Sequence, residues 1–221
     1  MFLLLLVLVL GLAALITYRI YCILPGGKVS VQVTKTKSLA VFLGSGGHTS
    51  EALTLISALD FSRYTPRTYI ISEGDVLSAQ KAHDLELSKQ TSQSSAQYTI
   101  LTIPRARRVH QRLLTTPPTA LYSLLKCIYH VAFAQFSARS SFADLLVLNG
   151  PGTCFVLCIA VYMNKFFGLA APRIIYIESF ARVNSLSLSG KLLCRVVDRF
   201  IVQWPQLQQK IRNAEFHGLL V

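Results

Sequence analysis

The sequence predicts an α/β domain with a doubly wound, mostly parallel sheet, preceded by a transmembrane helix. Short apolar runs of strand length alternate with longer helical patterns, which is typical of sheets whose parallel strands are connected by helices. A glycine-rich loop, Gly44 to His48, lies between the first strand-like run and the first helical pattern. An uncharged apolar run, Phe2 to Ile16, precedes all of these elements.

The composition indicates one folded domain with an appendage. The chain has 221 residues, of which 52% are hydrophobic, and its 22 Lys and Arg against 10 Asp and Glu give a formal charge of +12. This charge favours an anionic partner, which could be nucleic acid, a membrane surface or a phosphorylated substrate. The alternative is that the charge serves solubility and has no specific target.

The five cysteines predict neither a disulfide framework nor a zinc site. Their number is odd, and Cys154 and Cys158 lie in an apolar helical pattern without His or Cys neighbours that could complete a metal site. A reducing compartment fits this use of cysteine. We predict no metal ion and no cofactor.

The N-terminal run predicts a signal-anchor helix over residues 1–24, with Tyr18 and Arg19 at the membrane interface. Basic residues follow the run, so the positive-inside rule places the remainder in the cytosol. We therefore predict a polar tether over residues 25–37 and a cytosolic domain over residues 38–221. A cleaved signal peptide is the alternative, with Gly11-Leu12-Ala13 as a possible cleavage site, but no basic region precedes the apolar run.

The opening unit of the domain is a strand, a glycine loop and a helix, as in Rossmann-like folds. The strand is predicted at residues 39–43, Thr49 or Ser50 is expected to cap the helix, and Glu51 is expected to place negative charge in its first turn. Glycines let a ligand approach the backbone, and the helix start favours a phosphate or diphosphate. Thr49 stands where the dinucleotide fingerprint has its third glycine, so a plain turn without ligand remains the alternative.

The later elements continue the alternation. Strands are predicted at residues 68–72, 98–103, 145–148, 173–177 and 200–202, and helices at 75–90, 119–138, 154–167, 187–196 and after Trp204. Ligands of such sheets bind beyond the carboxyl ends of the strands. Four stretches should meet there, namely residues 44–48, the turn at Glu73, residues 149–153 and residues 178–182.

Several motifs, in this order, resemble a known family. They are Leu43-Gly44-Ser45-Gly46-Gly47-His48-Thr49-Ser50-Glu51, Asn149-Gly150-Pro151-Gly152-Thr153, Tyr176-Ile177-Glu178-Ser179-Phe180-Ala181-Arg182-Val183, Ser187-Leu188-Ser189-Gly190-Lys191 and Val202-Gln203-Trp204-Pro205. The chain resembles the membrane-anchor subunit, of the Alg-fourteen type, of the eukaryotic UDP-N-acetylglucosamine transferase. That family is similar to the acceptor half of a GT-B glycosyltransferase such as MurG.

The resemblance implies that the chain anchors an Alg-thirteen-type catalytic subunit, as a heterodimer or a larger complex. The complex would add the second N-acetylglucosamine to N-acetylglucosaminyl-diphosphodolichol during assembly of the N-glycosylation precursor. Its place would be the cytosolic face of the endoplasmic reticulum membrane, or the nuclear envelope, with the chain inactive alone. Without the anchor, the 221-residue chain has room for one α/β domain and not two, so a two-domain transferase would need its donor half elsewhere.

The candidate catalytic residues are His48 and Glu178. His48 could be a general base or a hydrogen-bond donor, against the alternative of a structural bond at the helix start. For Glu178 the alternative is a salt bridge to Arg182. We assign the acceptor diphosphate to Gly44, Ser45, Gly46, Gly47, Thr49, Asn149, Gly150, Gly152, Thr153 and Arg182.

Two further surfaces are predicted. Arg105, Arg107, Arg108 and Arg112 border an aromatic-rich helix and are expected to contact membrane lipid, against the alternative of a solvated loop before a core helix. The apolar end, Phe216 to Val221, is expected to pack on the partner subunit through Leu219, Leu220 and Val221, against the alternative of a closing strand in the chain's own sheet.

Three other functions compete with the split transferase. A tethered scaffold with vestigial glycine loops would need no chemistry at His48. A self-sufficient oxidoreductase is disfavoured by Thr49 and by the small size. A nucleic-acid binder is suggested by charge alone, because the basic residues are scattered and form no recognised motif, so no nucleic-acid partner is predicted.

Overall fold

The computed structural model describes residues 1–25, 36–89, 97–107, 111, 113–133 and 142–220, with residues 113 and 133 described by their backbone only. The strands are β1 (Lys37–Leu43), β2 (Tyr64–Ser72), β3 (Tyr98–Ile103), β4 (Leu145–Asn149), β5 (Arg173–Ile177), β6 (Arg199–Val202) and β7 (Ala214–Phe216). The α-helices are α1 (Phe2–Ile23), α2 (Gly47–Ser57), α3 (Val76–Lys89), α4 (Thr116–Ile128), α5 (Thr153–Phe166), α6 (Leu188–Leu193) and α7 (Pro205–Lys210).

The strands form one parallel sheet in the order β3-β2-β1-β4-β5-β6-β7. The chain starts in the middle, winds outward through β2 and β3, and then returns to the other side of β1 at β4. This order confirms the predicted doubly wound α/β fold. The order reverses between β1 and β4, and open sheets bind their ligands at such a switch point.

Each face of the sheet carries its own hydrophobic core, because successive strand residues point to opposite faces. Ala40, Phe42 and Leu148 face a core that includes residues of α4 and α5. Leu39 and Val41 face a second core, which includes residues of α2. The two cores bury β1 on both sides, which explains its continuous apolar run.

Helix α1 is the one helix within the described residues that is long and apolar enough to cross a membrane. Its 22 residues would span about 33 Å, which matches a hydrocarbon core of about 30 Å. Only its last turns contact the domain. Arg19 donates from Nε to the carbonyl oxygen of Phe166 and from Nη2 to that of Lys165, at 2.9 Å each, so it satisfies carbonyls at the end of α5.

Three boundaries differ from the sequence predictions. β2 begins at Tyr64 rather than residue 68, because its pairing with β1 reaches back to Lys37. α4 begins at Thr116 and ends at Ile128, and a π-helical turn, Tyr129–Phe133, follows it; residues 134–138 of the predicted helix lie outside the described residues. α6 begins at Leu188 because Ser187 caps it, its side chain accepting the N–H of Gly190, and it ends at Leu193 rather than residue 196.

The apolar end of the chain is partly a strand of the chain's own sheet. Ala214–Phe216 forms β7 and pairs with β6. Of the apolar end, Phe216 to Val221, only Phe216 lies in β7 among the described residues, so the alternative of a closing strand holds for Phe216 and not for Leu219 or Leu220. Leu219 and Leu220 follow β7, and Leu219 is 60% exposed.

A buried ion pair that the sequence analysis did not predict joins β2 to α3. Arg67 donates from Nε and Nη2 to the two carboxylate oxygens of Glu86, at 2.6 and 2.8 Å, and both residues are almost fully buried. Tyr69 donates its hydroxyl to Glu86 at 2.8 Å. Burial, with that hydrogen bond, raises the pKa of Tyr69, so the phenol remains a neutral donor.

We expect Glu86→Ala to destabilise the protein by about 3–5 kcal/mol, because it leaves the Arg67 guanidinium buried without its counter-charge. Urea unfolding of the detergent-solubilised chain, followed by fluorescence of its only tryptophan, Trp204, measures the effect. The control is Glu215→Ala, which removes the solvent-exposed pair with Arg199 and should cost about 1 kcal/mol or less. Equal losses in the two variants would contradict the prediction.

Candidate functional site

The two glycine-rich turns touch at the switch point of the sheet. They continue from β1 and β4, whose last residues Leu43 and Asn149 are register partners. A Cβ atom at Gly44 would lie 2.8 Å from the carbonyl oxygen of Asn149 and 3.0 Å from the ring of Pro151. Any side chain at Gly44 would therefore displace the second loop.

A helix begins directly behind each of these loops. Ser45 and Gly46 have positive φ angles of 70° and 57°, and this turn lets α2 begin at Gly47. α5 begins at Thr153, behind the second loop. The first N–H groups of a helix have no intrahelical acceptor, and its dipole makes this end positive. Two such ends behind touching loops suit a diphosphate.

Thr49, Ser50 and Glu51 do not have the predicted helix-start roles. α2 begins at Gly47 and no side chain caps it, so Thr49 and Ser50 already lie within its first turn. The hydroxyl of Thr49 is buried and hydrogen-bonded to that of Ser78 at 2.6 Å. Glu51 lies beyond the first turn. Its carboxylate contacts Asn149, before the second glycine loop, and Ser179, in the loop after β5.

A chain of hydrogen bonds fixes the imidazole of His48. Its Nδ1 lies 2.9 Å from Oδ1 of Asn149, whose Nδ2 donates to Oε2 of Glu51 at 3.0 Å. A carboxylate accepts hydrogen bonds, so Glu51 determines that the amide nitrogen of Asn149 faces it and that the amide oxygen faces His48. In the neutral ring, Nδ1 then carries the hydrogen and Nε2 is left as a proton acceptor.

Glu51 also binds the loop after β5. Its Oε1 accepts the hydroxyl of Ser179 at 2.9 Å, and its Oε2 accepts the N–H of Phe180 at 3.4 Å. One carboxylate on α2 therefore joins the loops that follow β1, β4 and β5. The predicted convergence of these stretches is confirmed by these contacts.

Glu178 is buried and contacts the start of α6. It is 1% exposed, and it accepts the N–H of Ser179 and both the N–H and the hydroxyl of Ser187, at 3.1 Å each. A Cβ atom at Gly190 would overlap its carboxylate. Among the described residues Glu178 forms no salt bridge with Arg182, whose side chain is exposed.

The turn after β2 and the segment after β3 each add a charged group, Asp75 and Arg105. Asp75 caps α3, as the sequence predicts, by accepting the N–H of Ser78 at 3.2 Å and its hydroxyl at 2.8 Å. Burial raises the pKa of Asp75, but hydrogen bonds from Ser45 and Ser78 and the charge of Arg105 outweigh burial and lower it. Arg105 also donates to Oγ of Ser45 at 3.3 Å, so it lies beside the glycine loop.

The remaining predicted residues are spread over the domain. Thr153 accepts the N–H of Ala106 at 3.3 Å, and Gly152 is the N-cap residue of α5. Arg107 donates to the carbonyl oxygen of Gln111 at 3.0 and 2.8 Å. Arg108, Arg112 and Val221 lie outside the described residues.

Glu51 is the site residue whose role the sequence analysis missed. A usable signal was present, because residues three apart lie on the same face of a helix and Glu51 is three positions after His48. No cluster of three or more His, Cys, Asp or Glu that could hold a metal ion occurs in the described part of the chain.

Comparisons with known proteins agree with this architecture. The family profile described as "Oligosaccharide biosynthesis protein Alg14 like" matches residues 39–220. A protein of Cryptococcus neoformans var. neoformans serotype D (strain JEC21), named UDP-N-acetylglucosamine transferase subunit ALG14, is 51% identical over 190 residues, which cover 83% of this chain and 80% of that protein.

Similar proteins occur in other organisms. The proteins of Schizosaccharomyces pombe and Rattus norvegicus that carry the same subunit name are 46% and 37% identical. The alignment with the Schizosaccharomyces pombe protein covers 83% of this chain and 83% of that protein. The alignment with the Rattus norvegicus protein covers 96% of this chain and 94% of that protein. The glycine loop, the Asn149 turn and the Glu178 loop all lie inside the matched region, and the chain belongs to the Alg14 family of UDP-N-acetylglucosamine transferase subunits.

Proposed function

We propose that this chain is the membrane-anchored, acceptor-binding half of a split GT-B transferase at the cytosolic face of the endoplasmic reticulum. With an Alg-thirteen-type subunit that binds UDP-N-acetylglucosamine, it adds the second sugar to N-acetylglucosaminyl-diphosphodolichol. The subunit name of its relatives supports the transferase class. The apolar helix α1 supports attachment to a membrane.

The observation that carries the proposal is the meeting of two helix N-termini at the switch point of the sheet. α2 and α5 begin behind loops whose backbones leave no space for a Cβ at Gly44. The positive dipole ends of these two helices and the nearby guanidinium of Arg105 are suited to the two negative phosphates of the acceptor. The location of Arg105 favours this role over its predicted contact with membrane lipid.

His48 is the general base in this proposal. An inverting transfer requires removal of the proton from the attacking acceptor hydroxyl, and Nε2 of His48 is left free to take it by the bond between Nδ1 and Asn149. Asn149 and Glu51 hold the required tautomer, as the carboxylate does in a catalytic triad. Glu178 accepts hydrogen bonds from Ser179 and Ser187. These bonds suit a structural role, in which Glu178 holds the loop after β5 in place.

An exposed apolar stripe supports a second contact with the membrane. Leu121, Tyr122, Leu125 and Tyr129 are each more than half exposed, on α4 and the π-helical turn after it. Both α4 and α1 pack against α5, so the stripe lies on the same face of the sheet as the membrane helix. Lys126 on α4 would face the lipid headgroups beside this stripe.

The transfer reaction tests the proposal. Labelled UDP-N-acetylglucosamine and N-acetylglucosaminyl-diphosphodolichol are incubated with this chain alone, with the partner subunit alone, and with both. We expect product only from the mixture, because each chain supplies one half of the site. Robust turnover by this chain alone would refute the split-enzyme proposal.

Substitutions in the hydrogen-bond chain of His48, Asn149 and Glu51 test the assignment of the general base. We expect His48→Ala to lower kcat by about 10²- to 10⁴-fold, the usual contribution of general-base catalysis, with co-purification of the partner unchanged. Glu51→Ala should lower kcat less, because it frees the Asn149 amide but leaves the imidazole present. The control is Thr54→Ala, an exposed position on the same helix that should keep full activity. Normal kcat in His48→Ala would favour the alternative of a recruitment scaffold.

Deletion of residues 219–221 tests the partner surface. We expect the shortened chain to lose most of the partner subunit in co-purification, since Leu219 is exposed beyond β7 and presents apolar surface. Its fold should persist, because the paired strand β7 is retained. Leu87→Ala, which removes a similarly exposed leucine on α3, is the control and should co-purify normally. Full recovery of the partner with the deletion would remove Leu219, Leu220 and Val221 from the interface.

A further inference from the structure

An apolar groove runs along α5, at the junction of the domain with α1. Its volume is about 460 Å³, within the range of about 300–1,000 Å³ typical of small-ligand sites. Every lining side chain is hydrophobic or aromatic. The lining includes Ile20 and Ile23 of α1 and Phe155, Ile159, Met163 and Phe166 of α5.

The groove extends from the membrane helix along α5 toward the start of that helix. Its α5 residues extend from Phe166 to Phe155 at intervals of three and four, which is one face of a helix about 17 Å long. At one end, Arg19 of α1 is bonded to the carbonyl oxygens of Lys165 and Phe166. At the other end, Phe155 is two residues from Thr153, where α5 begins behind the Asn149 loop.

The lining offers an occupant almost nothing to hydrogen-bond. The hydroxyl of Tyr162 already donates a hydrogen bond to the carbonyl oxygen of Val196. Cys158 is 2% exposed, and burial raises the pKa of its thiol to about 12, so the sulfur remains uncharged. A polar or charged ligand would lose its hydration in this groove without compensation, whereas a hydrocarbon chain would gain from burial.

We propose that this groove binds the isoprenoid tail of the lipid-linked diphosphate, with its first few isoprene units along α5 and its diphosphate at the N-termini of α2 and α5. The inference rests on the proposed function, since that function supplies a diphosphate at the candidate site. The groove has the apolar helix α1 at one end and leads toward the proposed diphosphate site at the other. A prenyl diphosphate likewise has an apolar chain at one end and a diphosphate at the other. A phospholipid carries no diphosphate group that would place its acyl chain beside the glycine loops.

Substitution within the groove tests the proposal by kinetics of the assembled complex. Met163→Trp fills the groove, and we expect it to raise the KM for a long-chain prenyl-diphosphate acceptor by about tenfold or more, the equivalent of about two unburied methylene groups. The KM for an acceptor whose diphosphate carries only a short alkyl chain, and that for UDP-N-acetylglucosamine, should not change. Leu87→Trp, on the opposite side of the sheet, is the matched control. Equal KM increases for long and short acceptors would overturn the proposal.

Photocrosslinking gives a readout that does not depend on turnover or on the Trp variant. The wild-type complex is irradiated with a prenyl diphosphate that carries a diazirine in its first isoprene units, and labelled peptides are identified by mass spectrometry. We expect label on the α5 peptide that contains Ile159 and Met163, displaced by unlabelled prenyl diphosphate and not by phosphatidylcholine. Equal displacement by both lipids, or label elsewhere only, would overturn the proposal.

Failure of this proposal can be told apart from failure of the proposed function. If the wild-type complex transfers sugar normally while the crosslinking results are negative, the groove assignment fails and the proposed function stands. Failure of wild-type transfer rejects the proposed function itself.

Discussion

The contact between the loops after β1 and β4 determines the geometry of the whole candidate site. A Cβ atom at Gly44 would lie only 2.8 Å from the carbonyl oxygen of Asn149, and a Cβ at Gly150 would come within 3.1 Å of Gly44 Cα. This close approach of two backbones brings His48 within hydrogen-bonding distance of Asn149. It also sets the starts of α2 and α5 side by side, because each helix follows directly from its loop.

Two carboxylates beside a proposed diphosphate site require an explanation, since like charges repel. Glu51 is bound by donors from Asn149, Ser179 and Phe180. Asp75 is bound by the hydroxyl and N–H of Ser78, and the charge of Arg105 helps to lower its pKa. Hydrogen bonds within the protein therefore stabilise both carboxylates, and the positive ends of α2 and α5 and the Arg105 guanidinium are the groups suited to an anion.

The sequence was sufficient for the order of elements and for the loops at the sheet edge, because strand-length apolar runs and Gly-rich turns are local signals. It was not sufficient for Glu51 or for the Arg67–Glu86 pair. Both depend on where distant side chains arrive after folding, and a single carboxylate in a helix has the same local pattern whether it faces solvent or a loop. The start of α2 was misplaced for a similar reason. The positive φ of Ser45 is unusual for a non-glycine residue, and nothing in the local pattern signals it.

Helix α5 carries the connection between anchoring and chemistry. Its C-terminal carbonyls accept the side chain of Arg19 from the membrane helix, and its N-terminus supports the loop of Asn149. It also packs against α4, which presents the exposed apolar stripe. In the proposed function, a helix held at one end by the membrane helix and at the other by the candidate site would fix the distance between the lipid and the reacting group. The direct contact of α1 with α5 therefore supports the proposal that the membrane helix also helps to position the site.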